Sequence, residues 1–152
     1  MKEIIVHSLK QTEDLARTLA DATDGPRVIL LEGTLGMGKS SFARAFIRHL
    51  AGDDQMEVPS PTFTLLQSYD TAKGEVWHFD LYRLNDPEEI WELDWEDAAA
   101  QHITLVEWPD RLGPYTPKNA QTITISAPKL IQGSKSDTES DAENTRIFTI
   151  SD

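Results

Sequence analysis

The segment Gly33-Thr34-Leu35-Gly36-Met37-Gly38-Lys39-Ser40 sets three glycines, a lysine and a serine at the spacing G-x-x-x-x-G-K-[ST]. Glycines at these points permit backbone angles that turn successive N–H groups into one concavity. The positive end of a following helix adds to it, and the result suits phosphate oxygens. In such a loop Lys39 reaches the β- and γ-phosphates of a nucleotide, and the Ser40 hydroxyl can bind Mg²⁺. Hydrolysis needs more: a second carboxylate for the metal and a group that orients the attacking water. Glu107 is the first candidate, because it follows the apolar run Ile103-Thr104-Leu105-Val106, and a core strand there delivers an acid to the carboxyl edge of the sheet. The plain alternative is an exposed loop glutamate. Asp80 is the second candidate. It alternates with Phe79 and Leu81, so that His78, Asp80 and Tyr82 share one strand face, and an acid on a half-buried strand needs a partner: Mg²⁺, Arg83 or His78. Ser60-Pro61-Thr62-Phe63-Thr64 reads equally as a loop whose hydroxyl senses a γ-phosphate and as a proline turn before a strand. His78 could carry a proton, although a strand histidine is more often a hydrogen-bonded structural residue.

The elements that must position these groups follow from periodicity. Val28–Leu31 is a continuous apolar run, expected as a buried strand leading into the loop. Behind the loop, Phe42, Ala43, Ala45, Phe46, Ile47 and Leu50 recur at helical spacing, which predicts a helix over Lys39–Ala51 that stops at Gly52-Asp53-Asp54. Before it come a strand over Glu3–His7 and a helix over Thr12–Ala22, with its start supplied by Ser8–Gln11 and with Leu15, Leu19 and Ala22 on one face. Thr62–Tyr69 and Glu75–Tyr82 read as a hairpin around Asp70–Gly74. Asp86-Pro87-Glu88-Glu89 opens a helical stretch to about Gln101, in which Trp91 and Trp95 would share a face as core residues or as a partner's anchor. Strands over Ile103–Val106, Ala120–Ser126 and Arg146–Ile150 complete the chain. The acidic, polar stretch at about 129–144 predicts a mobile loop. Strands alternating with helices give an α/β class: a three-layer P-loop NTPase-like fold, its mixed sheet having parallel core strands and an antiparallel hairpin extension, in one P-loop ATPase domain over residues 1–152.

Composition narrows the partners. With 26 acidic against 14 basic residues the net charge is −12, and no basic cluster occurs, which argues against unaided nucleic-acid binding and favours a protein partner with a basic surface. There is no cysteine, hence no disulfide or thiolate metal site. No apolar run approaches the roughly 20 residues of a membrane span, and the N-terminal residues turn polar too soon for a signal peptide, so a cytoplasmic location is expected.

GTLGMGKSSF, VPSPTFTLLQSY, HFDLYRL and LVEWPDRL, in this order and at these distances, resemble the bacterial tRNA threonylcarbamoyladenosine biosynthesis ATPase family, TsaE (formerly YjeE), over roughly residues 3–126. The last three motifs are far more specific than a phosphate loop alone. The resemblance implies a P-loop core extended by antiparallel strands and weak hydrolysis of ATP by the isolated chain. It also implies action with two partners, the transferase subunit TsaD and its non-catalytic relative TsaB, which place a threonylcarbamoyl group on the adenosine beside the anticodon of tRNA. The nucleotide cycle would reset that complex, with tRNA met only through it.

Carried over by motif, the resemblance makes Gly33 to Ser41 the phosphate loop, with Lys39 on the phosphates and Ser40 on Mg²⁺. Glu107 resembles the family's Walker B acid, and Asp80 its acid near the metal and attacking water. Thr62 and Thr64 fall in a switch-like loop, and Trp108 matches a tryptophan close to the nucleotide. Ser8 to Thr12 correspond to the adenine border, and Arg146 to a C-terminal arginine near the nucleotide. The chain departs from the family pattern at Thr34, usually acidic or amide, at Met37, usually alanine, and at Ser40, usually threonine. A small-molecule kinase and a nucleotide-dependent binding module without hydrolysis stand as alternatives. The kinase is disfavoured because a phosphoryl-transfer lid usually carries arginines, and no arginines cluster here.

Overall fold

In the computed structural model, which describes residues 2–34, 36–128 and 144–151, seven strands form one mixed sheet. The first, β1 (Lys2–Val6), leads to α1 (Leu9–Asp21), whose start is fixed by the Ser8 hydroxyl accepting the Gln11 N–H at 3.1 Å. This start lies three residues before the expected Thr12. The buried face is Thr12, Ala16 and Ala20 at four-residue spacing, with Leu15 and Leu19 packed only partly against the core. β2 (Arg27–Glu32) then enters the sheet, and α2 occupies Lys39–Ala51, the bounds expected from its periodicity. Gly52, at φ 70°, closes α2 with its N–H on the Arg48 and His49 carbonyls.

β3 (Leu66–Thr71) and β4 (Gly74–Asp80) form the expected hairpin, but both are shorter at the site end. Residues 62–65 turn instead of extending: the Leu65 N–H returns to the Pro61 carbonyl at 2.7 Å, and Leu65 takes φ 68°. At the other end, the Tyr82 N–H is taken by the Asp80 side chain at 3.0 Å rather than by a ladder carbonyl, which stops β4 at Asp80. The expected helix over 86–101 is two pieces, a 3-10 helix at Pro87–Leu93 and α3 at Trp95–Gln101, because Asp94 adopts φ 55°, ψ 37°. The break separates the two tryptophans: Trp95 is buried, whereas Trp91 is 47% exposed against Tyr115. β5 (Ile103–Glu107) is followed by a 3-10 segment over Pro109–Tyr115 that the sequence pattern had not indicated, then by β6 (Gln121–Ser126) and β7 (Arg146–Ile150). Apart from Asn144, the acidic stretch expected as a loop at 129–144 lies outside the described residues.

The strand order is β1-β7-β6-β2-β5-β4-β3. The four central strands β6, β2, β5 and β4 are parallel; β3 joins one edge antiparallel, and β7 and β1 extend the other in the same way. Side chains alternate between two cores. Ile29 and Leu31 of β2 face α1 and α2, with Phe42, Phe46 and Phe148; Val28 and Leu30 face α3 and the 3-10 segments, with Phe79, Ile90 and Trp95. Three layers result, as expected, and the antiparallel β7–β1 edge is an addition to the expected hairpin. Among the described residues no helix is long and apolar enough to cross a membrane.

Phe42 is fully buried, its ring 5.7 Å from Phe148 and 6.4 Å from Phe46. Phe42→Ala should therefore lower the unfolding free energy by about 3–5 kcal/mol. Chemical denaturation checks this, and a loss below about 1 kcal/mol would show that α2 is not locked to the sheet through this ring.

Candidate nucleotide and metal site

The parallel register brings the site residues to one edge. Leu31, at the end of β2, pairs with Glu107 at the end of β5, and Glu107 pairs with Asp80 at the end of β4. The chain leaving β2 forms the glycine loop, and α2 begins at Lys39. Glycine is needed at Gly33, where a Cβ would lie 2.8 Å from the Ile125 carbonyl oxygen, and at Gly38, whose φ of 105° precedes the first turn of α2. The loop thus packs directly on β6 while the N–H groups of α2's first turn stay open to a ligand. Thr34 is exposed, Met37 packs partly on the core beneath the loop, and Leu35 lies outside the described residues.

A cavity of about 410 Å³ opens over this edge, lined by Gly36 and Gly38 of the loop, by Lys39, Ser40 and Ser41 of α2, by Ser60 and Thr62, by Asp80 and Tyr82, and by Glu107 and Trp108. Glu107, 2% exposed, is not the loop residue of the plain alternative. Its Oε1 accepts the Ser40 hydroxyl at 2.9 Å and its Oε2 lies 2.7 Å from His78 Nε2. Asp80, 5% exposed, is buried rather than half-buried. Its Oδ1 accepts the Tyr82 N–H at 3.0 Å, and its Oδ2 accepts the hydroxyls of Ser60 and Thr62 at 3.3 and 3.2 Å. Neither Arg83 nor His78 is the partner foreseen for Asp80: Arg83 lies over the exposed Phe63 ring at 4.3 Å, and His78 serves Glu107. Thr64 faces away, accepting from Gln67 at 3.3 Å.

Among the described residues, Lys39 is the one cation lining this cavity. Its Nζ donates to the Gly33 carbonyl and sits 3.4 Å from the centroid of the Trp108 ring. Trp108 reaches that position because its backbone takes φ 58°, ψ 52°, a reversal that aims the indole back over the loop and against Tyr82, 4.9 Å away between ring centroids. Burial pushes the Lys39 ammonium below its ordinary pKa, opposed by the negative charges of Glu107, Asp80 and Asp110. A lysine stripped of water beside two carboxylates is poised to exchange its present partners for a more highly charged anion.

A second cavity, about 210 Å³, flanks the other side of the loop, between Leu9 and Thr12 of α1 and Asn144 and Arg146. The two cavities share Gly36, Gly38 and Ser41. Thr12 and Arg146 are thus brought to the loop, while Ser8 caps α1 and Leu9 stands at the cavity in its place. Sequence reasoning had Leu9 only within the Ser8–Thr12 stretch and missed Asp110, the Tyr82 ring and the His78–Glu107 pair. Only the last had a readable signal, a histidine and an acid both at buried strand positions.

Comparison with known proteins gives the chain's family and its fold. The family model for the threonylcarbamoyl adenosine biosynthesis protein TsaE matches residues 6–135. A tRNA threonylcarbamoyladenosine biosynthesis protein TsaE from Aquifex aeolicus is 40% identical over 111 residues, 73% of this chain and 79% of that protein. The protein of the same name from Rickettsia felis is 41% identical over 107 residues, and the match spans 62% of its length and 70% of this chain. The crystal structure of Bacillus subtilis YdiB superposes with a TM-score of 0.69 over 98% of this chain and 83% of its own, at 22% identity, and shares the fold.

If the loop cradles phosphate, Lys39→Ala should weaken ATP binding by roughly 3 kcal/mol, about 100-fold. Calorimetric titration measures it, and unchanged affinity would remove the loop from phosphate recognition.

Proposed function

Because the chain belongs to the TsaE family of threonylcarbamoyl adenosine biosynthesis proteins, we propose that it binds and hydrolyses Mg–ATP as an accessory factor of a TsaB–TsaD pair that modifies tRNA in the cytoplasm. The observation that carries the nucleotide reading is the convergence of Ser40, Glu107 and Asp80 beside Lys39 at the mouth of a glycine loop. The donor set fits the metal: a hydroxyl and two carboxylates offer only oxygen, the ligand type Mg²⁺ prefers, and Mg²⁺ is usually held by one or two carboxylates and the substrate's phosphates. Ser40 and Glu107 would hold it, with Asp80 alongside. When bound, Mg²⁺ neutralises charge that builds on the phosphate oxygens.

The chain's own groups divide the remaining work. Loop N–H groups and Lys39 hold the phosphates once Lys39 leaves the Gly33 carbonyl and the Trp108 face. Glu107 has both oxygens in short hydrogen bonds, whereas Oδ2 of Asp80 is met by two longer ones from the 60–62 loop. A water can displace those loop hydroxyls more readily, so Asp80 is the better acceptor for the attacking water's proton, and Ser60 and Thr62 would report its arrival. Leu9, Thr12 and Arg146 border the space left for the base. A net charge of −12 leaves tRNA to be gripped by the partners.

Phosphate release from Mg–ATP is expected to be slow for the isolated chain and clearly faster with purified TsaB–TsaD; release indifferent to that pair would leave the accessory role without support. Glu107→Ala should retain ATP binding without metal and lose most hydrolysis, and full activity in that variant would take Glu107 out of the mechanism.

A further inference from the structure

Three buried side-chain polar atoms among the described residues have no hydrogen-bond partner, Tyr69 Oη, Trp77 Nε1 and His78 Nδ1, and of these residues only His78 touches the site. His78 is 1% exposed, sits on β4 opposite Leu105 of β5, and makes its one side-chain hydrogen bond among the described residues to Glu107 Oε2 at 2.7 Å. Its Nδ1 is buried with no partner there. A proton on Nδ1 would have no acceptor, so the hydrogen bond assigns the ring N–H to Nε2, donating to the carboxylate. Glu107 is thereby divided: Oε2 is tied back into the sheet and Oε1 is turned to Ser40 and the cavity. A carboxylate held at one oxygen cannot rotate freely about its last torsion, and its other oxygen, here beside Ser40, stays where a ligand meets it. Groups that hold metal ligands in this way commonly account for 10- to 100-fold in metal affinity or activity. We propose that His78 is a positioning residue for the Mg²⁺ of the nucleotide complex, acting through Glu107 and touching neither metal nor phosphate. This rests on the Mg–ATP reading above.

The test is calorimetric titration of a non-hydrolysable ATP analogue with and without Mg²⁺, on the wild-type chain and three variants. His78→Gln keeps an N–H near the position of Nε2, His78→Phe keeps the bulk without a donor, and His78→Asn carries an amide too short to reach Glu107. In His78→Phe the Mg²⁺ needed for half-maximal tightening should rise roughly 10- to 100-fold, while affinity without metal stays at the wild-type value and His78→Gln recovers most of the loss. Thermal unfolding is followed in parallel, and if His78→Phe does not fold, His78→Asn takes its place with the same expected loss. Wild-type Mg²⁺ dependence in a folded donorless variant would overturn the inference and leave the Mg–ATP reading standing. Equal loss in His78→Gln, or an equal loss without metal, would reduce His78 to packing and overturn it too. Wild-type binding indifferent to Mg²⁺ would overturn the metal reading, and this inference with it.

Discussion

A carboxylate taken out of water must have its oxygens met by donors, or the protein bears the cost of desolvating a charge. Glu107 meets that requirement with Ser40 on one oxygen and His78 on the other, and this small chain ties three elements together: α2 through Ser40, β5 through Glu107 and β4 through His78. The position of the glycine loop relative to the sheet edge depends on it. Moving α2 outward would strip Oε1 of its donor, and slipping β4 against β5 would strip Oε2. The apolar cores on either face supply most of the stability, but they tolerate small shifts that a buried charge does not.

The same edge concentrates opposing charge. One lysine faces two buried acids in a chain of net charge −12, and Lys39 spends its proton donors on the Gly33 carbonyl and its charge on the Trp108 ring. This arrangement gives the ammonium one carbonyl and one ring face without ligand and leaves it exchangeable. Trp108 and Leu65 both sit in left-handed backbone that non-glycine residues rarely adopt, and both are at this edge. One aims the indole over Lys39; the other turns the 60–62 hydroxyls toward Asp80. Asp94, the third such residue among those described, lies instead at the break before α3, so what marks the two at this edge is what they aim: an indole and two hydroxyls at the site.

Much of this was readable from residue order. The strand before the loop, the glycine spacing and α2 carry mutually reinforcing signals, and α2 spans the residues its periodicity predicts. Glu107 was readable because an apolar run before an acid marks the carboxyl end of a buried strand. What could not be read depends on single backbone angles or on distant pairing. Thr62–Leu65 look like strand residues, yet Leu65 reverses the chain; Glu88–Gln101 look like one acidic helix, yet Asp94 divides it. The 3-10 segment after Trp108 has neither helical nor strand period. The pairing of β1 with β7 follows from strand register, which joins residues far apart in the chain; so does the contact of His78 with Glu107, of which the sequence showed only a histidine and an acid at strand positions.

The central claim is that phosphate and metal meet at the edge formed by the glycine loop, Glu107 and Asp80. Amide chemical-shift mapping on isotopically labelled protein, titrated with Mg²⁺ and a non-hydrolysable ATP analogue, tests it most directly. The account predicts the largest changes at Gly36–Ser41, at the Trp108 backbone and indole, and at Thr62 and Asp80, with little change at the opposite end of β2. Shifts gathered instead at the cavity of Asp24, Arg27 and Asn119, or no shifts at all, would contradict it.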